Sequence, residues 1–393
     1  RDLHSFPTRR SSDLVLTVWF WFFIVGTPAF FLESMRFTIH IVPEELSASC
    51  YYDVETARKV PGSLFFFPFH FSFSCPRRIR YTIRIDERTM DRLTEAQKNI
   101  VEAPLTGRVF IEGIPGAGKT TVGCARVRRM LSAQRAGKRT LVFTPVASAG
   151  EAYRGIRTED GRSAWVTTFN GFVQQNLNLF WPLIAAEAGY SAGGSAPLFL
   201  TIETAQVVLQ SVAEPLWEGG AFNVLQWTLS RFLNQATMAM HKMAAAGFPF
   251  ETYAERMKSS WSGDGTMRSV FDLIQRLGLS FKETCRADNM LDFALQLEIY
   301  QRCLAGNPLY RRWLQDHIQF FVHDNVEEDI PLAHAFGLSI RDIVDSSLAI
   351  YDELGGFRTF MGGDPDSARK LRDGADRTGV LSDSSVLDRK SVV

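Results

Sequence analysis

The residues best suited to chemistry form one glycine-rich segment, GIPGAGKT at positions 113–120. Its G-x-x-x-x-G-K-T spacing lets the backbone wrap around a phosphate group, because glycines adopt conformations that other residues avoid. The N–H groups of such a loop, and the start of the helix after it, direct partial positive charge at the phosphate. We expect Lys119 to reach the β- and γ-phosphates of a nucleotide and Thr120 to place its hydroxyl on Mg²⁺. The predicted phosphate-binding residues are Gly113, Gly116, Gly118, Lys119, Thr120 and Thr121.

Two further side chains are suited to binding a nucleotide with its Mg²⁺. Gln97 ends the segment LTEAQ, and its amide can donate and accept a hydrogen bond at once, which suits the edges of an adenine. Asp324 follows the apolar run IQFFVH, and a carboxylate at the carboxyl end of a strand is well placed to hold Mg²⁺. An exposed glutamine at a helix start is common, so Gln97 alone is a weak signal.

The elements that must position these residues alternate between strands and helices. A short β-branched and aromatic run precedes the glycine segment, and an amphipathic stretch follows Lys119 to about Arg135, so the order is strand, loop, helix. Predicted strands are Arg108–Glu112, Arg139–Thr144, Ala164–Thr168, Ile318–His323 and Arg358–Met361. This alternation predicts an α/β fold with a parallel sheet covered on both faces. Few strand signals occur between Phe172 and Asp288, where helical spacing in Thr201–Val212 and Phe222–Lys242 predicts an inserted helical subdomain.

Four segments together resemble the amino-terminal part of UvrD-like, superfamily 1A DNA helicases. They are LTEAQ at 93–97, GIPGAGKTT at 113–121, VTTFNGF at 166–172, and GDPD at 363–366 followed by Gly374-Ala375. The resemblance covers about Asp91 to Ala375 and implies a RecA-like P-loop NTPase domain that uses ATP and Mg²⁺. Met290-Leu291-Asp292-Phe293 resembles the helix that, in this family, precedes the strand ending in the metal-binding aspartate.

The resemblance also implies roles for individual residues. Thr168, Phe169 and Phe172 would contact single-stranded DNA, and Asp364 would belong to the nucleotide site. In the family, the residue after the metal-binding aspartate is a carboxylate that orients water. Asn325 stands there and cannot accept a proton, so Glu327 or Glu328 would take that role. The whole protein would be an ATP-dependent translocase that separates strands, acting on single-stranded DNA or duplex junctions.

Three departures from the family pattern keep other functions open. They are Asn325 after the acidic strand, Ser367 in place of the family's glutamine and Lys370 in place of its tyrosine. These departures favour a nucleotide-gated DNA-binding or scaffold protein whose hydrolysis has decayed. Another P-loop phosphotransferase would share only the glycine segment. The arginines of a second RecA-like domain lie outside the resemblance, so we expect this chain alone to bind ATP weakly and hydrolyse it poorly.

The composition and the two ends of the chain restrict the possible partners, the compartment and the domain boundaries. The 393 residues carry 43 basic and 43 acidic side chains, so any nucleic-acid binding must use a local surface. The five cysteines form no C-x-x-C pair, which favours a reducing compartment, and we expect a cytoplasmic protein rather than a membrane one. An uncharged stretch at 15–32 has the length of a membrane span, but both ends of the chain resemble translated adapter DNA. The expected organisation is adapter-like ends at 1–14 and 388–393, a non-genuine leader at 15–89, a RecA-like domain at 90–172 and 289–387, and the helical subdomain at 173–288.

Overall fold

In the computed structural model of the chain, the described residues are 93–190, 195–218, 227–263 and 265–382, together with the backbone of two strands near the amino terminus. These strands, β1 (Leu14–Phe23) and β2 (Leu32–Ile41), form an antiparallel pair and belong to a compact unit that ends at Arg78. The pattern of residues 15–89 predicted neither helix nor strand, so this pair is a departure from the prediction. Among the described residues, no helix is both long and apolar enough to cross a lipid bilayer.

The second unit, from Ile79 onward, is built on a parallel sheet. Its strands are β3 (Gly107–Gly113), β4 (Arg139–Phe143), β5 (Trp165–Thr167), β6 (Leu198–Phe199), β7 (Met290–Leu291), β8 (Ile318–His323), β9 (Ser346–Asp352) and β10 (Arg377–Leu381). Six of them form one sheet in the order β10-β3-β9-β8-β4-β5, and every neighbouring pair is parallel. The short β6 and β7 pair with each other. Because the sheet is parallel, the loops after all six strands meet at one edge, where ligands bind in open α/β sheets.

Helices connect and cover these strands. They are α1 (Glu95–Glu102), α2 (Lys119–Ala133), α3 (Glu151–Arg154), α4 (Phe169–Ile184), α5 (Ile202–Glu218), α6 (Leu229–Ala245), α7 (Tyr253–Ser260), α8 (Gly265–Ala287), α9 (Phe293–Ile299), α10 (Pro308–His317), α11 (Pro331–Ile340) and α12 (Pro365–Arg369). Side-chain caps explain several of the starts, since a cap satisfies an N–H that lacks a partner inside the helix. Thr94 and Gln97 form a reciprocal capping box at α1, and Thr168 caps α4.

Two large hydrophobic clusters lie on opposite faces of the sheet, and a third, smaller cluster includes Phe110 of β3 and Tyr351 of β9. One contains Val122 and Val127 of α2 packed with Ile111 and Val322 of the sheet. The other begins at Leu141 and Phe143, includes the aromatic rings at the start of α4, and continues without a break into buried residues of α5, α6 and α8. The sheet is therefore covered on both sides, which confirms the predicted α/β class and explains why the central strands β4 and β8 are buried along nearly their whole length.

The predicted strands agree with the structure in four of five cases. Arg358–Met361 was wrong, because residues 359–361 form a 3₁₀ turn between glycine pairs, and the Arg358 N–H donates to Glu328 instead of to a neighbouring strand. The strands β9 and β10 were missed. Met290-Leu291 is also a strand rather than a helix, and Asp292 caps the helix that follows. The predicted helix at 222–242 begins at Leu229, and residues 219–226 lie outside the described part.

Candidate functional site

The glycine loop, residues 113–120, joins the carboxyl end of β3 to the amino end of α2. Gly116 and Gly118 have φ of +80° and +77°, a left-handed conformation that glycine adopts without strain. At Gly113 an added Cβ would lie 2.2 Å from the carbonyl oxygen of Leu381 in β10, so a side chain does not fit there. The loop therefore lies at the carboxyl edge of the sheet, and Lys119 and Thr120 are the first two residues of α2, followed in its first turn by Thr121.

Lys119 is buried and fully bonded within the protein. Its Nζ donates to the carbonyl oxygens of Gly113 and Ile114 at 2.8 and 2.7 Å, and it lies 3.0 Å from Asp352 Oδ2. Asp352 is the last residue of β9 and pairs in register with Gly113 of β3. Sequence reasoning missed Asp352, and the signal that could have found it is the partial alternation of SSLAIYD, the run that this aspartate ends.

Asp324 lies where it was predicted, at the end of β8, and reaches the start of α2. Thr120 Oγ1 donates to Asp324 Oδ2 at 3.2 Å, and the Tyr153 hydroxyl donates to the same oxygen at 2.8 Å. Asp324 is 3% exposed, and this burial raises the pKa of its carboxyl above the usual value, while the two hydroxyls oppose the rise. Tyr153 comes from the short α3 and is completely buried, and no sequence motif indicated it.

The donor set of Thr120 and Asp324 fits Mg²⁺. Both ligands are oxygens, they are already within 3.2 Å of each other, and Mg²⁺ in nucleotide sites takes one or two protein ligands and completes its shell with phosphate and water. No cluster of three or more His, Cys, Asp or Glu side chains suited to a metal occurs among the described residues. A site of this kind would therefore depend on the nucleotide for part of its ligands.

The acidic turn, residues 324–329 after β8, contains both candidate glutamates, and their contacts differ. Asn325 adopts φ +55°, a left-handed conformation that asparagine tolerates better than most residues. Glu327 is 1% exposed and its Oε2 accepts the Asp352 N–H at 2.9 Å. Burial raises the pKa of Glu327 to about 7. Glu328 instead accepts three backbone N–H groups, from residues 356–358, at 2.8 to 3.0 Å. Glu327 is therefore the better proton acceptor, and Glu328 holds the loop after β9.

Gln97 contacts the glycine loop, and both ends of its amide are engaged inside the protein. Nε2 donates to the Ala117 carbonyl at 2.9 Å, and Oε1 accepts the Thr94 N–H at 2.9 Å. One N–H and one lone pair remain for a ligand. The packing is close, since a Cβ at Gly118 would lie 2.6 Å from Nε2. Gln97 thus links the α1 cap to the loop in addition to its predicted role toward adenine.

The predicted DNA-contacting residues lie mostly in the core. Phe169 and Phe172 are 1% and 0% exposed and pack their rings against Phe143 and Phe336. Neither ring is available to stack on a base in this arrangement. Thr168 accepts the Gly171 N–H at 3.1 Å as the cap of α4. The geometry therefore gives this element a packing and capping role, and any contact with a nucleic acid would use its backbone or polar groups.

Asp364 also has a structural role that the resemblance to helicases did not imply. Its Oδ1 accepts the N–H groups of Asp366 and Ser367 at 3.0 and 3.1 Å as the cap of α12. Ser367 Oγ lies 2.6 Å from His334 Nδ1, and His334 Nε2 lies 2.7 Å from the Val326 carbonyl, so this chain of contacts connects α12 with the acidic turn. Asp352, rather than Asp364, contacts Lys119 of the glycine loop.

Comparison with known proteins adds no assignment to this geometry. No protein-family model matches the chain, and no curated protein is similar to it.

Proposed function

We propose that this chain carries the ATP-binding part of an ATP-dependent DNA helicase or translocase of the UvrD-like kind, which acts on single-stranded DNA. The observation that carries the proposal is the meeting of the glycine loop with the acidic turn. Lys119 and Thr120 at the start of α2 lie at hydrogen-bond distance from the carboxylates that end the neighbouring strands β9 and β8. A G-x-x-x-x-G-K-T loop between a strand and a helix, beside an aspartate at a strand end, is the arrangement used for phosphoryl groups.

Each residue then has a specific part in ATP hydrolysis. The loop N–H groups and the amino end of α2 would bind the phosphates, and Lys119 would neutralise charge on the β- and γ-phosphates. Thr120 and Asp324 would hold Mg²⁺, which supplies positive charge beside the same phosphates. Glu327, whose pKa is raised by burial to about 7, would take the proton of the attacking water. Gln97 would contact the adenine through its remaining N–H and lone pair.

Two observations favour a second candidate, a nucleotide-gated binding protein with slow hydrolysis. Asn325 follows Asp324 directly and cannot act as a base, and Lys119 is held by Asp352 and two carbonyl oxygens. A nucleotide would have to displace the Asp352 contact, so binding and turnover would both be slow. Another P-loop phosphotransferase is a third candidate, favoured by the glycine loop alone.

Binding and hydrolysis of ATP test the proposal in two stages. A fluorescent ATP analogue with Mg²⁺ should bind the chain, and Lys119→Ala should abolish that binding, with Lys242→Ala as an exposed control on α6. Single-stranded DNA should then increase the rate of ATP hydrolysis. Binding without any DNA effect on hydrolysis would support the second candidate, and unchanged binding in Lys119→Ala would exclude the glycine loop as the site.

A further inference from the structure

A second concave site lies at the opposite edge of the sheet, where the strands begin. It is a cavity of about 350 Å³ lined by Arg139, Trp165, Gln175, Asn176, Leu179, Trp313, His317 and Ile318. Arg139, Trp165 and Ile318 are the first residues of β4, β5 and β8. The glycine loop follows the carboxyl end of β3, so this cavity is separate from the proposed ATP site. Its volume is in the range of small-molecule sites.

The walls of the cavity are aromatic and partly exposed. Trp165 and Trp313 are both half-buried, and the His317 ring stacks on Trp313 at 4.7 Å between centroids with 25° between the planes. Leu179 is 60% exposed at the rim. Tyr310 also stacks on Trp313, with 6.1 Å between centroids and 13° between the planes. A planar ligand would therefore pack on the partly exposed His317 and Trp165 rings, where contact buries area without fixing many rotatable bonds.

Arg139 is placed over this surface by an irregularity in the sheet. The pairing of β4 with β8 shifts register between Arg139 and Thr140, so Gln319 of β8 has no opposite residue. Bulges of this kind redirect side chains and occur beside functional sites. The Arg139 guanidinium lies 5.6 Å from the Trp165 ring centroid, and no acidic side chain of the described residues forms an ion pair with it. Its charge and donors are free for a ligand.

Asn176 and His317 add acceptors to a cavity that also holds the donors of Arg139, the Gln175 amide and two indole rings. Asn176 is 1% exposed, its Nδ2 donates to the Phe172 carbonyl at 2.7 Å, and its Oδ1 has no partner among the described residues. An unpaired buried acceptor is costly and calls for a ligand or water to satisfy it. His317 Nδ1 lies 2.8 Å from the Trp313 carbonyl, so this nitrogen carries the proton and leaves Nε2 of the neutral ring as an acceptor.

We infer that this cavity binds a nucleobase that carries an exocyclic amino group. The ring would pack on His317 and Trp165, its amino group would donate to the acceptors on Asn176 or His317, and a base carbonyl or a phosphate would bind Arg139. A base within a single strand and a free nucleotide share this chemistry. The site needs no nucleotide at the glycine loop, so it does not depend on the proposed ATPase function.

Fluorescence anisotropy with a labelled single-stranded oligodeoxycytidine tests the inference. All proteins carry Lys119→Ala, which prevents binding at the glycine loop from contributing. Oligodeoxycytidine should bind with a dissociation constant below about 1 mM, and oligothymidine, which lacks the amino group, should bind about tenfold more weakly. Arg139→Gln and Asn176→Leu should each weaken binding about tenfold. The matched controls are Asn178→Leu, an exposed asparagine of the same helix, and Arg157→Gln, an exposed arginine outside the cavity.

Competition with cytidine monophosphate separates the two sources of the base. Displacement of the oligonucleotide by the monophosphate would support a free nucleotide, and binding of the oligonucleotide alone would support a base held within a strand. The inference is overturned if neither probe binds, if thymidine and cytidine oligonucleotides bind equally, or if Arg139→Gln and Asn176→Leu behave as their controls do. The melting temperature of Asn176→Leu shows whether that variant folds, since the substitution also removes the hydrogen bond that Nδ2 donates to the Phe172 carbonyl.

Discussion

The Nζ of Lys119 lies 3.0 Å from Oδ2 of Asp352, and the backbone N–H of the same aspartate donates to Glu327. One residue at the end of β9 therefore contacts both the lysine proposed to bind phosphate and the glutamate proposed to accept a proton. An entering phosphate would have to replace the Asp352 carboxylate on Lys119. In the proposed function, Asp352 would therefore compete with ATP through its side chain and position Glu327 through its backbone.

Replacement of Asp352 by asparagine should tighten ATP binding and weaken the fold. The Asp352→Asn variant keeps the backbone N–H that donates to Glu327 but lacks the negative charge that competes for Lys119. The free energy of unfolding should fall by about 2 kcal/mol, because a mostly buried ammonium loses its charged partner. Titration with a fluorescent ATP analogue and urea unfolding measure the two effects. Weaker ATP binding in this variant would show that Asp352 assists the nucleotide instead of competing with it.

Removal of the Tyr153 hydroxyl should weaken ATP binding only when Mg²⁺ is present. In Tyr153→Phe the Asp324 carboxylate keeps the Thr120 contact and loses the 2.8 Å hydrogen bond that fixes its orientation. ATP affinity should drop several-fold in Mg²⁺ and stay unchanged in EDTA. Tyr310→Phe is the matched control, since that buried hydroxyl bonds only to Tyr300 in the other hydrophobic cluster. Equal losses with and without Mg²⁺ would contradict the positioning role.

The two glutamates of the acidic turn should respond differently to the same substitution. Glu327→Gln keeps a hydrogen-bond acceptor for Asp352 but removes the base, so ATP hydrolysis should fall about 100-fold with little change in stability near pH 5. Glu328→Gln should instead lower the free energy of unfolding by about 1 to 3 kcal/mol, because three N–H groups lose a charged acceptor. Radiolabelled ATP hydrolysis and urea unfolding of both proteins measure this contrast. Loss of turnover in Glu328→Gln alone would reverse the assignment.

Stability should depend on pH through two buried groups with opposite effects. The pKa of Glu327 is raised from 4.5 to about 7, so its contribution to stability is fully present below pH 4.5 and is lost as pH rises through about 7. The pKa of His334 is lowered from 6.5 to about 4 by burial, so its contribution is present above pH 6.5 and is lost as pH falls through about 4. Glu327→Gln removes the first effect alone, so the stability of this variant should rise more steeply between pH 4.5 and 7 than that of the unaltered protein. Urea unfolding across this range tests the expectation, and identical pH profiles for both proteins would contradict it.

Local patterns were sufficient for part of the fold. The strands β3, β4, β5 and β8 were predicted because each is a short apolar or β-branched run beside turn residues. The same local logic failed at 358–361, where the chain forms a turn just after three N–H groups, at 356–358, donate to Glu328, about 30 residues earlier in the chain. It also missed β9, whose alternation is short and partly polar.

The sequence by itself determined the glycine loop, the helix that Lys119 begins and the aspartate at the end of β8, because residue type and spacing over a few positions specify these features. Only the tertiary structure decided which side chains complete the site. Tyr153 meets Asp324 across 171 residues, and Lys119 meets Asp352 through the neighbouring strands β3 and β9. It also decided that Phe169 and Phe172 are core residues. Strand order and burial arise from contacts between distant segments, and no local pattern encodes them.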